Sequence, residues 1–203
     1  MADTFSSAYR VRMAIHVLPA TRFADVATML GPKKSPDSNV CWCLSHRVDA
    51  TTNRSMAGRE RAEYVRKLCR RKVPPGVLAY DRDEVAGWAG VAPRADLPVT
   101  RSTKIRAVDD LPVWNIFCVR VRPGFRRRGI SLDLVNGAVD LARSHGAPGV
   151  EAIPVDNGTA KVDLTMAFVG TRGLFERAGF TKVADTDSVT DGFPRVVMRL
   201  TWA

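Results

Sequence analysis

The residues whose types and spacing most clearly suggest ligand binding form a basic, glycine-containing turn, Val119-Arg-Val-Arg-Pro-Gly-Phe-Arg-Arg-Arg-Gly-Ile-Ser131. It lies between the most strand-like segment of the chain, 113–121 (VWNIFCVRV), and the most periodic helical segment, 130–144. A turn that enters a helix exposes unpaired backbone N–H groups, with the positive end of the helix dipole behind them. Such groups bind phosphate, and the arginines from Arg126 to Arg128 add positive charge. The segment therefore predicts a phosphate-binding site, with a solvated basic turn as the alternative interpretation.

Other phosphate-binding and nucleic-acid-binding patterns are absent from the sequence. It contains neither GxxxxGK[ST] nor GxGxxG. The 31 Lys and Arg residues exceed the 21 Asp and Glu residues by 31 − 21 = 10, which favours an anionic partner of unspecified kind. The chain has no low-complexity basic tail, no arginine–glycine repeat and no zinc-finger spacing. A basic nucleic-acid-binding protein is therefore kept only as the least favoured hypothesis.

Cys41-Trp42-Cys43 and the nearby His46 are the candidates for a metal site. In an extended strand over 40–48, the two cysteines share one face and His46 points to the other. Structural zinc usually needs four ligands, and the sequence shows no second pair. We therefore predict no metal, and a packing or acceptor-lining role for this segment. Cys118, within the central strand segment, is predicted to be a packing residue because no histidine lies near it in sequence.

Length and composition limit the class of protein. The 203 residues, 45% hydrophobic and 26% charged, predict one globular domain over 1–203. No apolar run approaches the roughly 18 residues that a membrane helix needs. The amino terminus lacks the pattern of a signal peptide, and four cysteines without a Cys-x-x-Cys pair indicate reduced thiols. These features predict a cytoplasmic protein that does not span a membrane.

The elements that position the basic turn follow from hydrophobic periodicity. Strands are expected at 11–17, 40–48, 77–80, 85–92, 113–121, 150–155 and 196–200, and helices at 20–30, 56–72, 130–144 and 173–178. The two segments around 81–84 predict a hairpin, and 93–112 is expected to be irregular because of its prolines. Strands that alternate with helices indicate an α/β fold with a mixed sheet.

Two motifs resemble the GNAT acetyltransferase superfamily. The basic turn is similar to the coenzyme A pyrophosphate loop of that family, Arg/Gln-x-x-Gly-x-Gly/Ala, with Arg126 and Gly129 in the first and fourth places. Ser131 stands where glycine or alanine is usual. About fifty residues later, Leu174-Phe-Glu-Arg-Ala-Gly-Phe180 resembles the family's Leu-Tyr-x-x-x-Gly-Phe ending. The order of elements also fits, so the resemblance covers nearly the whole chain.

The resemblance implies an acyl-CoA N-acyltransferase fold, with a mixed central β-sheet flanked by helices and splayed central strands. It implies acetyl-CoA as co-substrate and a primary amine as acceptor, on a small molecule or a protein lysine, with a homodimer left open. Backbone groups near Val119 and Val121 are expected to bind pantetheine in the gap between 113–121 and 150–155. The diphosphate is expected to be bound at the turn, by the N–H groups of Arg127, Arg128, Gly129, Ile130, Ser131 and Leu132.

The sequence departs from the family pattern at the positions that move protons. The usual tyrosine that protonates the leaving thiolate corresponds to Phe175, and 113–121 contains no carboxylate where a glutamate is common. Glu151 is the nearest candidate for the general base, with a paired strand carboxylate as the alternative; Asp156 and Asp163 are weaker candidates. These departures motivate a second hypothesis, a catalytically weak acyl-CoA-binding or regulatory protein of the same fold.

Overall fold

The computed structural model describes residues 15–98, 102–163 and 165–202, and its centre is a seven-stranded sheet. The strands are β1 (Ile15–Pro19), β2 (Gly76–Asp81), β3 (Glu84–Pro93), β4 (Trp114–Val121), β5 (Gly149–Ala152), β6 (Thr181–Thr190) and β7 (Phe193–Thr201). Their order in the sheet is β1-β2-β3-β4-β5-β7-β6. Among the described strands, β4 and β5 alone pair in parallel, so the sheet is mixed, as the sequence predicts.

Helices cover both faces of this sheet. They are α1 (Phe23–Leu30), α2 (Ala50–Ser55), α3 (Gly58–Cys69), α4 (Ile130–Ser144) and α5 (Arg172–Arg177). The apolar stripe of α4 packs on one face together with α5, and residues of α1 and α3 pack on the other. The helix α4 has the predicted bounds, and Gly146 follows it with φ 77° in the left-handed region that glycine tolerates best. None of the helices within the described ranges is long and apolar enough to cross a membrane.

The strands β4 and β5 separate soon after they meet. They pair at three positions only, and the last is Ile116 opposite Ala152, although β4 continues to Val121. On the other edge of β4, the register with β3 shifts between Gly90 and Val91, which leaves Phe117 as the extra residue of a bulge. A bulge increases local twist and bends the strand. The predicted splay of the central strands is confirmed.

Three parts of the secondary structure differ from the sequence expectations. The predicted strand at 40–48 is wrong: Trp42 and Cys43 have φ values of 50° and 56°, and a short 3₁₀ helix spans Leu44–His46. The sequence missed α2 and also β6, a largely polar strand at the edge of the sheet, where no apolar face is needed. Of the predicted first strand, 15–17 lies in β1 and 11–14 falls outside the described residues.

Candidate functional site

The basic turn lies at the carboxyl end of β4 and leads into α4. A 3₁₀ turn at Pro123–Phe125 is followed by Arg127 with φ 61° and by Gly129 with φ 83°. Left-handed residues in a turn direct neighbouring N–H groups into an anion-binding concavity. The N–H groups of Arg127, Gly129 and Ile130 have no acceptor among the described residues. The backbone therefore presents unpaired donors at the helix start, as the sequence predicts for a phosphate site.

The side chains of this turn differ in their exposure to solvent. Arg126, Arg127 and Arg128 are exposed, and the Arg128 Nη1 donates to Asp81 Oδ2 at 2.6 Å. Ile130 is buried and anchors the turn on the core, whereas Ser131 is half-buried. The Leu132 N–H already donates to the Gly129 carbonyl oxygen at 2.9 Å, so its predicted contact with diphosphate would require exchange of that bond.

The gap between β4 and β5 borders a segment of the chain itself, 168–171. The Val119 N–H donates to the Phe168 carbonyl oxygen at 2.8 Å. Val155, which follows β5, donates to Gly170 at 3.2 Å and forms a parallel bridge with Thr171. Val121 lies opposite Gly87 of β3. The expected pantetheine contact at Val119 is therefore compatible with this structure only if the Phe168 carbonyl gives up its bond.

Glu151 lies within the paired part of β5, opposite Asn115, and is only 3% exposed. Its Oε1 accepts from Arg199 Nε at 2.9 Å and Nη2 at 2.5 Å, while Arg94 Nη1 lies 3.3 Å from Oε2. Arg199 also binds the exposed Asp109. The carboxylate is thus an element of a buried ion-pair cluster, which is the alternative that the sequence left open. Its role as general base stays a prediction.

The other proton-transfer candidates have ordinary structural contacts. Phe175 is fully buried and makes a T-shaped contact with Phe180 at 5.2 Å, so it packs the core. Asp156 pairs with Arg172 at 3.0 Å. Asp163 accepts the Thr165 N–H at 2.6 Å, and this bond lowers the pKa of the Asp163 carboxyl and weakens it as a base.

The structure adds a group of residues, here called the aromatic column, of which the sequence singled out only His46, and that as a candidate metal ligand. It consists of the rings of Phe117, His46 and Phe168, with the guanidinium groups of Arg47 and Arg195 at its ends. The His46 ring lies 5.7 Å from Phe117 and 4.9 Å from Phe168. The Arg47 guanidinium lies 4.8 Å from the Phe117 ring, and that of Arg195 lies 5.9 Å from the Phe168 ring. These residues come from four separate segments, so no spacing in the sequence signals them.

The electrostatics of the aromatic column keep His46 neutral near pH 7. Burial lowers the pKa of His46 to about 4, and the positive charges of Arg195 and Arg47 act in the same direction. The His46 Nδ1 is buried and has no hydrogen-bond partner within the described part of the chain. A neutral imidazole therefore lies at the edge of the gap between β4 and β5.

The cysteine segment does not have the geometry expected of a strand. Cys41 is exposed, whereas the buried Cys43 thiol lies 3.1 Å from that of Cys118. Trp42 is buried and stacks on Phe23 at 5.8 Å, so it belongs to the core. The described ranges contain no group of three or more His, Cys, Asp or Glu side chains that could hold a metal ion.

We expect elemental analysis of protein purified without chelator to find no stoichiometric metal. The reason is that Cys41 and Cys43 do not converge with a histidine or carboxylate in the described structure. A Cys43→Ser variant serves as the control, since its metal content should equal that of the wild type. One equivalent of zinc that disappears in this variant would overturn the prediction.

The mixed sheet, its splayed central strands and the unpaired N–H groups of the turn are the features expected of the acyl-CoA-dependent transferases that the sequence motifs resemble. A family model described as the acetyltransferase (GNAT) family matches residues 45–180. This match covers more than half of the chain, which therefore belongs to the GNAT acetyltransferase family. A comparison with curated protein sequences finds no match.

Solved structures share this fold at low sequence identity. A structure from Corynebacterium glutamicum, described as histone acetyltransferase HPA2 and related acetyltransferase, is 17% identical with a TM-score of 0.54, over 94% of this chain and 98% of that one. A GNAT-family acetyltransferase from Bacillus cereus is 12% identical with a TM-score of 0.53, over 94% and 99%. The PaiA N-acetyltransferase of Thermoplasma acidophilum, in complex with coenzyme A, is 13% identical with a TM-score of 0.50, over 94% and 100%.

Proposed function

We propose that this protein transfers an acetyl group from acetyl-CoA to a primary amine, on a small molecule or on a protein lysine. The observation that carries the proposal is the set of unpaired N–H donors at the start of α4, directly beside the gap between β4 and β5. A phosphate-binding turn next to an opened sheet suits a ligand with a diphosphate and a long, narrow arm. The family match supports the acyltransferase chemistry.

The described residues suggest how acetyl-CoA is bound. The N–H groups of Arg127, Gly129 and Ile130 face the diphosphate, and the exposed arginine side chains of the turn surround it with positive charge. The pantetheine arm follows the edge of β4 towards Val119, where one of its amide carbonyls replaces the Phe168 carbonyl as the acceptor of the Val119 N–H. The thioester then lies near the bulge at Phe117.

The chemical step is attack of an uncharged amine on the thioester carbonyl. A C–N bond forms, the tetrahedral intermediate loses coenzyme A as a thiolate when the C–S bond breaks, and the amine proton passes to a base or to water. Holding the two reactants in contact supplies a large part of the rate. Glu151 is the predicted base. Because it also forms ion pairs with Arg94 and Arg199, a substitution there affects stability as well as proton transfer, and the two effects are measured separately.

Calorimetry with acetyl-CoA, combined with a turnover assay on a panel of amines, tests the proposal. We expect one binding site per chain and release of free coenzyme A thiol that depends on the amine. Binding without turnover for every amine would favour the hypothesis of a catalytically weak acyl-CoA-binding protein. That hypothesis is motivated by Phe175, which stands where the family pattern has a tyrosine. A protein that ignores acetyl-CoA and binds DNA with a steep salt dependence would favour the nucleic-acid-binding hypothesis.

A further inference from the structure

The aromatic column borders the gap in which the proposed reaction takes place. Phe117 is the bulge residue of β4, and the Phe168 carbonyl binds the Val119 N–H on the same strand. Arg195 Nε and Nη2 both donate to the carbonyl oxygen of Ile153, the residue that follows β5, at 2.9 and 2.6 Å. The column therefore spans the point where β4 and β5 part, and an acceptor amine that reaches the thioester passes close to it.

Arg195 carries a positive charge that the described residues do not neutralise. Its guanidinium is half-buried, forms no ion pair with a described carboxylate, and its Nη1 has no acceptor there. Burial lowers the pKa of Arg195, which reflects the cost of keeping this charge away from water. By contrast, Arg94, and Arg199 of the same strand β7, are both paired with Glu151.

A second unsatisfied polar group lies beside Arg195. The His46 Nδ1 has no partner in the described structure, although it is buried. The Phe168 ring is near both residues, at 4.9 Å from the His46 ring and 5.9 Å from the Arg195 guanidinium. The charged groups that act on His46 are Arg195 of β7 and Arg47, while Phe117 and Phe168 carry no charge. A half-buried cation without a described carboxylate partner, beside a buried imidazole nitrogen without a hydrogen-bond partner, favours an anionic ligand.

We propose that the acceptor amine carries a carboxylate, which the Arg195 guanidinium and the His46 imidazole bind at the mouth of the gap between β4 and β5. This inference rests on the proposed acetyl transfer. A carboxylate can accept from Arg195 Nη1 and from an imidazole N–H, and its charge offsets those of Arg195 and Arg47. The substrate class is therefore an amino acid, or a molecule with an amine and a carboxylate at similar spacing, rather than a purely cationic polyamine.

The first test uses sodium acetate as a probe at pH 7 and does not depend on activity. We expect acetate to shift the imidazole resonances of His46 in a saturable manner, with sodium chloride as the ionic-strength control. A His46→Gln variant assigns the signal among the three histidines. Arg195→Gln should weaken the response at least about tenfold, because it removes the charged donor. Arg177→Gln, which removes an exposed arginine of α5, should leave the response unchanged.

The second test compares amino acids with their amides as acceptors for acetyl-CoA. We expect kcat/KM to be at least about tenfold higher for the preferred amino acid than for its amide, a difference of about 1.4 kcal/mol, and this ratio to fall towards one in Arg195→Gln. Equal kcat/KM values within each pair, without an acetate response at His46, would overturn the inference while acetyl transfer itself stands.

Other outcomes separate the inference from the proposed function. An Arg195-dependent preference for succinyl-CoA over acetyl-CoA would place the carboxylate on the acyl chain, and would overturn the assignment to the acceptor. No turnover with any amine, together with an intact acetate response at His46, would reject the proposed function. It would also overturn the assignment of the carboxylate to an acceptor, and only the anion site would remain.

Discussion

Replacing Gly129 with valine is expected to weaken acetyl-CoA binding at least about tenfold, or about 1.4 kcal/mol. Gly129 has φ 83°, which a β-branched residue adopts only with strain, and its N–H is one of the unpaired donors of the turn. The valine side chain would also occupy space that the diphosphate needs for close approach to the backbone. Calorimetric titration of the variant with acetyl-CoA measures the loss.

The matched control lies in the same turn. Gly124 has no positive φ, and a Cβ at this position would have no atom within 4 Å. Gly124→Val should therefore retain wild-type affinity, and both variants should show the circular dichroism spectrum of the wild type. If Gly129→Val binds acetyl-CoA as tightly as Gly124→Val with its fold intact, the coenzyme does not bind at this turn.

Replacing Glu151 with glutamine is expected to lower the free energy of unfolding by about 3 kcal/mol, because the carboxylate compensates two buried guanidinium groups. Glutamine keeps the size of the side chain but removes its charge, so the ion pairs of Glu151 with Arg94 and Arg199 are both lost, while Arg199 keeps its ion pair with Asp109. Chemical denaturation monitored by circular dichroism measures this change. Asp109→Asn, at the exposed end of the same cluster, should have a smaller effect.

The same variant tests Glu151 as the general base. If the carboxylate also accepts the amine proton, kcat/KM of the folded protein should fall about 10²-fold near neutral pH. This loss should shrink at high pH, where more of the amine is already deprotonated. A rate that follows only the folded fraction, at every pH, would limit Glu151 to its structural role and direct the search for the base to Asp156, Asp163 or bound water.

The local structure of the candidate site was predictable from the sequence where it depends on the backbone of one continuous segment. A strand, a glycine-containing turn and a helix at 113–144 are local features, and the structure reproduces them with Gly129 in the left-handed region. The periodicity of α4 and the hairpin of β2 and β3 were likewise readable, because the apolar residues of α4 recur at helical spacing and a charged turn at 81–84 separates two short apolar runs.

The prediction at 40–48 was wrong because burial there does not follow the period of a strand. Trp42, Cys43 and Leu44 are all buried in succession, since left-handed residues and a short 3₁₀ helix, rather than a strand, place them in the core beside α1 and α3. A short apolar segment indicates that its residues are buried, but it does not indicate which backbone conformation they adopt. The predicted shared face of Cys41 and Cys43 was lost for the same reason.

The sequence by itself determined the alternation of strands and helices, the glycine-containing turn before α4 and the resemblance that the family match confirms. Only the tertiary structure decided which charges are paired: Glu151 between Arg94 and Arg199, and Arg195 with no described carboxylate, beside His46. These contacts join residues from distant segments, so they depend on the register of β5 with β7 and on the path of two loops. Hydrophobic periodicity reports the face of an element that is buried, whereas pairing between charges is a property of the assembled sheet.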